Sequence, residues 1–331
     1  MLQVAVIGLG WWGRTLTQAL SQNEKMRVVL AVDVDPAGAQ FAREQGIAFV
    51  ADFEAALTDA RVRGVVLCTP HTQHCAQIQR AAAAGKHVFC EKPLSLTRGD
   101  AIKAVDACNR AKVALAVGHE RRFEPPILEA MQRLKSGLYG TPLQIEANFS
   151  QDKFLTLPAD NWRLSATEAP AGPMTATGIH LLDLSIGVFG PAMSVYASVK
   201  QLGSQLVNGD TLAILVTFQN GGHALISAIL ATPFVGRFAI FGSKGWVEVR
   251  DKTHPEAPEG WTFTQCLRGE RAISEEIPPS PAFLFNLEAF ADAAEGRAPY
   301  PVPQEQMIAN IAALEAVTKS TRSGRVELVE G

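Results

Sequence analysis

The feature that most constrains this chain is a glycine-rich turn near its N-terminus, the sequence GLGWWG at residues 8–13. It follows directly on an apolar run, VAVI, and opens a helical pattern that continues to Leu20. A G-x-G-x-x-G loop between a buried strand and a helix is the fingerprint of a dinucleotide-binding fold. In this fingerprint Gly8 permits the tight turn, Gly10 lets a pyrophosphate approach the backbone, and Gly13 lets the helix pack closely on the sheet. The helix N-terminus would offer N–H groups and a partial positive charge to the phosphates.

Two adjacent tryptophans, Trp11 and Trp12, lie inside this loop. Because the loop would bind a cofactor through backbone groups, its intervening side chains are free to project outward. We predict that one tryptophan packs against the edge of the sheet and that the other borders the ribose–nicotinamide half of the cofactor. The alternative is that both pack between domains, since aromatic side chains serve packing more often than recognition.

An acidic residue ends the second strand-like run, VVLAVDVDP, at Asp33, twenty residues after Gly13. A carboxylate at this position hydrogen-bonds the ribose hydroxyls of NAD and repels the 2′-phosphate of NADP. Neither Val34 nor Asp35, which follow it, is an arginine that would accept that phosphate. The sequence therefore predicts NAD as the cofactor and NADP as the less favoured one. The alternative interpretation is a structural glycine turn with Asp33 capping a loop.

The chain divides into two parts with different hydrophobic patterns, and its length of 331 residues is typical of two domains. The first part alternates apolar strand-like runs with helical patterns, which predicts a doubly wound parallel sheet. After about Phe123 the runs alternate with period two, which predicts a mostly antiparallel sheet, with a hairpin turn at Gln219–His223. The predicted fold is α/β, with a Rossmann NAD-binding domain over residues 1–122. An α+β domain with an open, mostly antiparallel sheet is predicted over residues 123–331, for substrate binding and oligomerisation.

The composition excludes several classes of function. Hydrophobic residues make up 47% and charged residues 19%, which is typical of a globular protein. A net charge of −3 gives no basic excess for a nucleic-acid partner. Five cysteines without a C-x-x-C pair argue against a disulfide framework and a thiolate zinc site, so we expect a cytoplasmic protein without a metal. The N-terminal apolar run is interrupted by Gly8 and Gly10, so we expect neither a signal peptide nor a membrane span.

A second informative motif is Glu91-Lys92-Pro93, which follows the apolar run KHVFC. It places a lysine at the carboxyl end of a parallel strand, the edge at which open α/β sheets bind ligands. A lysine beside a bound nicotinamide can hydrogen-bond substrate oxygens or share a proton relay, and burial would lower its pKa. Taken alone, such a tripeptide is more often a surface turn.

Together with VGHERRF at 117–123 and GIHLLDL at 178–184, these motifs resemble the Gfo/Idh/MocA oxidoreductases, the family of glucose–fructose oxidoreductase and inositol dehydrogenase. The resemblance runs nearly end to end. It implies a Rossmann-like domain followed by a domain with a large open-faced sheet. It also implies hydride transfer between NAD(P) and a secondary alcohol carbon of a sugar, polyol or related ring.

The resemblance assigns roles to individual residues of this chain. It implies that Lys92 lies near substrate and nicotinamide, and that His180 is the acid/base for the reacting hydroxyl. Beyond the glycine loop and Asp33, the residues predicted to bind the cofactor are Thr69, Pro70, His74, Glu91 and Lys92. The residues predicted to bind substrate are Lys92, Arg122, Arg163, Thr177 and His180.

One departure from the family pattern concerns the surroundings of His180. The family usually has an aspartate four residues earlier, where this chain has Ala176 between two threonines. A threonine can form a hydrogen bond but carries no charge, so we expect His180 to lose an electrostatic partner. Asp183 shares a helix face with His180 and could partly substitute, although the family has an acid there that is better interpreted as structural.

Two arginines of the second part are candidates for binding an anionic substrate. Arg122 and Arg163 could each engage a carboxylate, because a guanidinium matches that group with two hydrogen bonds. The alternative for each is an exposed and solvated charge.

These motifs favour an NAD-dependent dehydrogenase that acts on a sugar, a polyol or a cyclic carboxylated alcohol. The alternatives are NAD-dependent glycosidase chemistry, which shows turnover without net NADH, and a non-catalytic NAD-binding regulatory protein, which the loss of the aspartate at Ala176 would suit. The expected partners are a small-molecule substrate and further copies of the chain, with no nucleic acid and no membrane. Apolar runs such as AILVTF and ALISAIL on an open sheet predict a homodimer or homotetramer.

Overall fold

The computed structural model describes residues 1–330, which divide into two compact units. The first unit comprises Met1–His119 and Phe283–Met307, and the second comprises Glu120–Ala282 and the chain from Ile308 onward. The division predicted from sequence, 1–122 and 123–331, differs from these units in one main respect. It assigns the whole C-terminal part to one domain, whereas Phe283–Met307 returns to the first unit.

The first unit contains a six-stranded parallel sheet and five of the helices that cover it. Its strands are β1 (Leu2–Ile7), β2 (Met26–Val32), β3 (Ala48–Val50), β4 (Gly64–Leu67), β5 (His87–Cys90) and β6 (Leu115–Val117). Its helices are α1 (Trp11–Ala19), α2 (Ala37–Glu44), α3 (Phe53–Thr58), α4 (His74–Ala83) and α5 (Arg98–Ala111). The strand order is β3-β2-β1-β4-β5-β6, so the order reverses between β1 and β4, which is where Rossmann folds bind dinucleotides. The predicted doubly wound sheet is confirmed.

The second unit contains a nine-stranded sheet and the helices packed on it. In chain order its next elements are α6 (Pro125–Lys135), β7 (Pro142–Ser150), α7 (Ile179–Phe189), β8 (Ala192–Lys200), β9 (Thr211–Phe218), β10 (His223–Ile229), β11 (Val235–Gly242), β12 (Gly245–Asp251), β13 (Trp261–Leu267) and β14 (Ile273–Ile277). The predicted hairpin is confirmed, because β9 and β10 pair antiparallel across the turn that begins at Gln219. The sheet is mostly antiparallel as predicted, and β10 pairs with β7 in parallel.

The end of the chain contributes to both units through α8 (Ala282–Ala294), α9 (Gln304–Ser323) and β15 (Glu327–Leu328). Helix α8 places Leu287 and Phe290, both fully buried, in the hydrophobic core of the first unit. The side-chain amide of Asn286 donates to the carbonyl oxygen of Val117 at 3.0 Å, and the hydroxyl of Tyr300 donates to Asn286 Oδ1 at 2.6 Å. The returning segment is therefore fixed to the end of β6 by polar contacts as well as apolar ones. Strand β15 joins the second sheet beside β8.

Candidate functional site

The glycine loop has the geometry that a bound dinucleotide requires. Gly8 has a φ of +91°, which favours glycine, and a Cβ there would lie 2.8 Å from the Cys68 carbonyl oxygen. A Cβ on Gly13 would lie 1.9 Å from the Gly8 carbonyl oxygen. Gly10, by contrast, has no atom within 4 Å of the position of a Cβ, so open space lies over the start of α1. Two glycines thus serve the fold and the third leaves room for a pyrophosphate at the helix N-terminus, so the residues fit the cofactor.

Asp33 lies beside the glycine loop, at the carboxyl end of β2. Its Oδ2 accepts a hydrogen bond of 2.5 Å from the Leu9 amide, and its Oδ1 accepts one of 2.8 Å from the Asp35 amide. The carboxylate therefore caps a short turn and is also held against the loop that would carry the cofactor. Its contact with a ribose stays a prediction, and so does the preference for NAD over NADP.

The two tryptophans of the loop have different surroundings. The Trp12 indole N–H donates a hydrogen bond of 2.7 Å to Glu91 Oε1, and its ring packs edge-on against Phe283 with the centroids 5.7 Å apart. Trp11 lies beside Trp12 at 5.2 Å and is 56% exposed. Trp12 is thus the tryptophan that packs within the unit, and a contact of Trp11 with the cofactor stays a prediction.

The Glu91-Lys92-Pro93 segment follows β5 at the same edge of the sheet as the glycine loop. The Lys92 amide faces Glu91 Oε2 at 3.3 Å, and the Lys92 side chain is partly buried. The Glu91 carboxylate lies close over Gly118, since a Cβ on Gly118 would lie 2.6 Å from Glu91 Oε2. Glu91 is therefore held by its neighbours, and a contact of Glu91 or Lys92 with the cofactor stays a prediction.

The loop after β4 is joined to this segment by a histidine. His74 is fully buried, with Nδ1 2.7 Å from the Pro93 carbonyl oxygen and Nε2 3.0 Å from the Thr69 carbonyl oxygen. The Thr69 hydroxyl donates to Gln77 Oε1 at 2.6 Å. His74 therefore connects two loops of the nucleotide-binding edge, and the predicted cofactor contacts of Thr69, Pro70 and His74 stay predictions.

In the second unit, His180 lies in the first turn of α7, directly after a π-helical turn at Met174–Gly178. Turns of this kind are rare and occur frequently at functional sites. His180 is buried, and its ring packs against Phe149 with the centroids 6.0 Å apart. Its Nδ1 lies 3.6 Å from Oε1 of Glu120.

Glu120 corrects the expectation that the substitution at Ala176 leaves His180 without a carboxylate partner. A carboxylate is present, but it comes from the short 3₁₀ turn Glu120–Phe123 after β6 and not from the helical turn before His180. The signal was in the sequence, because Glu120 lies in the VGHERRF motif. The sequence alone does not show that this motif lies close to α7.

Arg122 forms a bidentate ion pair with Asp183. The Arg122 guanidinium donates to the Asp183 carboxylate at 2.6 and 2.9 Å and to the Asp183 carbonyl oxygen at 2.7 Å. Gly187 allows this approach, because a Cβ there would lie 2.8 Å from the guanidinium. The pair anchors α7 to the Glu120–Phe123 turn and supports the structural interpretation of Asp183. A contact of Arg122 with substrate stays a prediction.

The remaining predicted substrate residues lie on separate elements of the second unit. The Thr177 hydroxyl is buried and donates to the Pro173 carbonyl oxygen at 3.3 Å, within its own turn. Arg163 is partly exposed and its guanidinium lies 4.2 Å from the centre of the Trp162 ring. Substrate contacts of these two residues also stay predictions.

A buried ion cluster supports the turn that carries Glu120. Arg121 donates to Asp251 at 2.7 Å and lies 3.2 Å from Glu124, and all three side chains are about 1% exposed. Trp261 donates a further hydrogen bond to Asp251 at 3.0 Å. Burial raises the pKa of the Glu124 carboxyl. Arg121 and Arg122, which follow Glu120, are thus both held by carboxylates, so the position of the Glu120 backbone is fixed.

Residues 1–330 contain neither a cluster of metal-ligating side chains nor a helix suited to a membrane. No group of three or more His, Cys, Asp or Glu side chains there is arranged to hold a metal ion. None of the helices in that range is both long enough and apolar enough to cross a membrane.

Comparison with known proteins places this geometry in a family. The model of the GFO/IDH/MocA oxidoreductase family with an NAD-binding Rossmann fold matches residues 2–119, and the model of the GFO/IDH/MocA C-terminal domain matches residues 127–248. An uncharacterized oxidoreductase of Bacillus subtilis, YrbE, is 28% identical over 88% of this chain and 82% of its own length. The 1,5-anhydro-D-fructose reductase of Ensifer adhaerens is 29% identical over 88% of each chain. The aldose–aldose oxidoreductase of Caulobacter crescentus, solved with glycerol, has the same fold, with a TM-score of 0.87 and 24% identity over 99% of each chain. With both domain models matched in order and the glycine loop, the E-K-P segment and His180 in place, the chain belongs to the GFO/IDH/MocA oxidoreductase family.

Proposed function

We propose that the protein is an NAD-dependent dehydrogenase that converts a secondary alcohol of a sugar, polyol or related cyclic substrate to the carbonyl compound, or performs the reverse reaction. The observation that carries the proposal is the position of Lys92. It follows β5 at the same sheet edge as the glycine loop, so a lysine stands where a bound nicotinamide and its substrate would be. The cofactor, when bound, accepts or donates the hydride.

The residues of the chain provide binding and proton transfer. The glycine loop offers open space and helix N–H groups to the pyrophosphate, and Asp33 offers a carboxylate to the adenosine ribose. Lys92 hydrogen-bonds the reacting oxygen of the substrate. His180 takes the hydroxyl proton during oxidation and returns it during reduction.

The relatives favour this substrate class without naming the substrate. The name of the Ensifer adhaerens relative specifies an anhydro sugar and that of the Caulobacter crescentus protein an aldose, so both names specify sugars. The partly exposed guanidinium of Arg163 can form two hydrogen bonds to a carboxylate, which would suit a carboxylated ring.

The experiment is formation of NADH by the purified protein across a panel of sugars, polyols, inositols and hydroxy acids. The substrate that reacts is then tested with His180→Ala and Lys92→Ala. We expect each variant to lose roughly two to four orders of magnitude in kcat, the usual size of general acid–base assistance. We also expect Lys92→Ala to bind the adenosine half of the cofactor almost unchanged.

Matched controls are His223→Ala, on the exposed side of β10, and Lys103→Ala, on the surface of α5, where Lys103 pairs with Asp100. Both should keep full activity. If activity survives His180→Ala unchanged, the proton passes through Lys92 or another group. Substrate turnover without net NADH indicates glycosidase chemistry instead, and tight NAD binding without any turnover indicates a regulatory protein.

We further infer that the chain self-associates through the outer face of the nine-stranded sheet. Tyr196, Leu215 and Leu225 lie opposite one another on β8, β9 and β10, and each is more than 40% exposed. A row of large apolar side chains across three strands favours burial against another copy.

The self-association can be tested by light scattering. Leu215→Glu should shift the measured mass toward that of the monomer. Leu202→Glu should not, because Leu202 is an exposed leucine that lies outside the strands. A monomeric mass for the unaltered protein at micromolar concentration contradicts the inference.

We also propose a cytoplasmic location, which the cysteines support. All five are free thiols in the structure, and Cys90 and Cys108 are buried. Free thiols persist in a reducing compartment such as the cytoplasm.

A further inference from the structure

We propose that Glu120 supplies, from a different element of the fold, the carboxylate that this chain lacks at Ala176, and that it orients the His180 imidazole and stabilises its protonated form. This inference rests on the proposed function, because it assigns Glu120 as a positioning residue for the proposed acid/base. It concerns two residues of the second unit only.

The distance and the surroundings support an electrostatic interaction. Glu120 Oε1 lies 3.6 Å from His180 Nδ1, within ion-pair range and slightly longer than a hydrogen bond. The side chains are 19% and 4% exposed, so water and salt screen their interaction less than at an open surface. Catalytic hydrogen bonds are often long before substrate is bound and shorten in the complex.

The alternative carboxylates near α7 are absent or already engaged. Ala176 has no polar atom in its side chain, and its neighbours Thr175 and Thr177 are buried and uncharged. Asp183 receives the bidentate ion pair of Arg122. Glu120 is thus the carboxylate whose contact with His180 the structure shows.

The other charged groups on the 3₁₀ turn, β7 and β10, which pack against α7, have partners of their own or are exposed. On the 3₁₀ turn, Arg121 pairs with Glu124 and Asp251, as described above, and its charge also interacts with that of Glu120. On β7, Glu146 interacts with Arg237 of β11. On β10, His223 is exposed. The ring centre of His254 lies 5.5 Å from that of Phe149, and His254 pairs with Glu256 and contacts Lys153.

The position of Glu120 has a consequence for the proton. An imidazole that holds its proton on Nδ1, facing a carboxylate, has Nε2 as its basic atom. When Nε2 takes a proton from a substrate hydroxyl, the ring becomes positive and the Glu120 carboxylate stabilises that charge. During reduction, Glu120 stabilises the positive charge of the His180 imidazolium until the proton passes from Nε2 to the substrate oxygen.

The first test requires no substrate. Ring C–H resonances of the histidines are followed by NMR as a function of pH, and the His180 resonance is assigned by its loss in His180→Gln. In Glu120→Gln we expect the titration midpoint of His180 to fall by about one pH unit, because an adjacent carboxylate favours the imidazolium. The matched control, Glu129→Gln, changes a glutamate of α6 that pairs with Arg133 at the surface, and should leave the midpoint where it was.

The second test uses the reaction. In Glu120→Gln, the acidic limb of the kcat profile for oxidation should move to lower pH, because the base stays neutral to lower pH. We expect kcat above that limb to fall about tenfold with a smaller change in KM. Adding Ala176→Asp to Glu120→Gln should restore both the midpoint and kcat, since it puts a carboxylate back one turn before His180. Glu120→Asp, with a shorter side chain, should give an intermediate midpoint.

An unchanged His180 midpoint in a folded Glu120→Gln protein overturns the inference, even if the protein proves to be an active dehydrogenase. If Glu120→Gln does not fold, the midpoint in Glu120→Asp decides in its place. Absence of turnover in the unaltered protein would instead contradict the proposed function, and the NMR titration would still decide the inference about Glu120.

Discussion

The indole N–H of Trp12 donates a hydrogen bond of 2.7 Å to Oε1 of Glu91, and this bond joins the start of α1 to the end of β5. Its donor, Trp12, lies in the loop that fits the cofactor pyrophosphate. Its acceptor, Glu91, directly precedes Lys92 in the sequence. A bulky residue in a glycine loop is therefore used here to connect the two segments on which the proposed chemistry depends.

Removing this bond should weaken the first unit. Trp12→Phe keeps an aromatic ring near Phe283 but leaves the partly buried Glu91 carboxylate without that donor. We expect a loss of about 1–3 kcal/mol in the free energy of unfolding, measured by urea denaturation. Trp11→Phe is the matched control and should stay within about 0.5 kcal/mol, because Trp11 is mostly exposed. Equal losses in the two variants would contradict the interpretation.

Cofactor choice should change with the residue at the end of β2. Asp33→Ser combined with Val34→Arg removes the carboxylate and adds a guanidinium at a position that is 88% exposed. Calorimetry should then show weaker binding of NAD and tighter binding of NADP. Asp35→Ser serves as the control, because Asp35 caps the start of α2 and should not alter the ratio of affinities. If the unaltered protein binds both cofactors equally, the role of Asp33 in selecting NAD is wrong.

Stability should depend on acid pH through Asp210. Burial alone would raise the pKa of its carboxyl, but hydrogen bonds from the Leu202 amide, the Ser204 hydroxyl and other donors lower the pKa to about 2. Because the folded-state pKa is below the ordinary value near 4, the stabilisation is present above pH 4 and disappears as the pH falls through about 2.

We therefore expect Asp210→Asn to lower the free energy of unfolding by roughly 1–2 kcal/mol at pH 7. The difference between the variant and the unaltered protein should shrink as the pH is lowered toward 2, in urea titrations at a series of pH values. Asp106→Asn, at an exposed position of α5, should show no such trend. A difference that stays constant with pH would mean that Asp210 contributes through packing and not through its charge.

The returning helix α8 should be required for the core of the first unit. Phe290 is fully buried, and its ring packs against Phe89 with the centroids 5.8 Å apart. Phe290→Ala should cost about 3–5 kcal/mol in the free energy of unfolding, since it leaves a cavity. Phe285→Ala on the same helix is the control, because Phe285 is 40% exposed and should cost much less. Similar costs at the two positions would show that α8 does not complete this core.

The parts of the fold that the sequence predicts are those specified by local interactions. The glycine loop is one such part, because a side chain at Gly8 or Gly13 would clash with backbone atoms of the loop or of the neighbouring strand end. The hairpin between β9 and β10 is another, because its turn residues lie next to each other. The residues that would bind the cofactor could likewise be proposed from the strands that precede them, since the carboxyl ends of parallel strands share one edge.

The parts that the sequence did not predict depend on contacts between distant segments. The pairing of Glu120 with His180 joins a turn after β6 to a helix sixty residues later, and no local pattern specifies it. The association of α8 with the first unit is of the same kind, since an apolar helix pattern does not indicate which core it enters. The parallel pairing of β7 with β10 requires a connection that the alternating pattern of each strand does not reveal.

The return of residues 283–307 to the first unit also has a consequence for biosynthesis. Many N-terminal domains finish folding while the rest of the chain is still being made, but this one cannot, because Leu287 and Phe290 belong to its core. At roughly 5–20 residues per second, the ribosome needs on the order of ten to thirty seconds to pass from the end of β6 to α8. During that interval the apolar surface that α8 will cover stays open to other nascent chains and to chaperones. Completion of the nucleotide-binding unit thus waits until α8 has been synthesised, although the six strands of its sheet are already complete at β6.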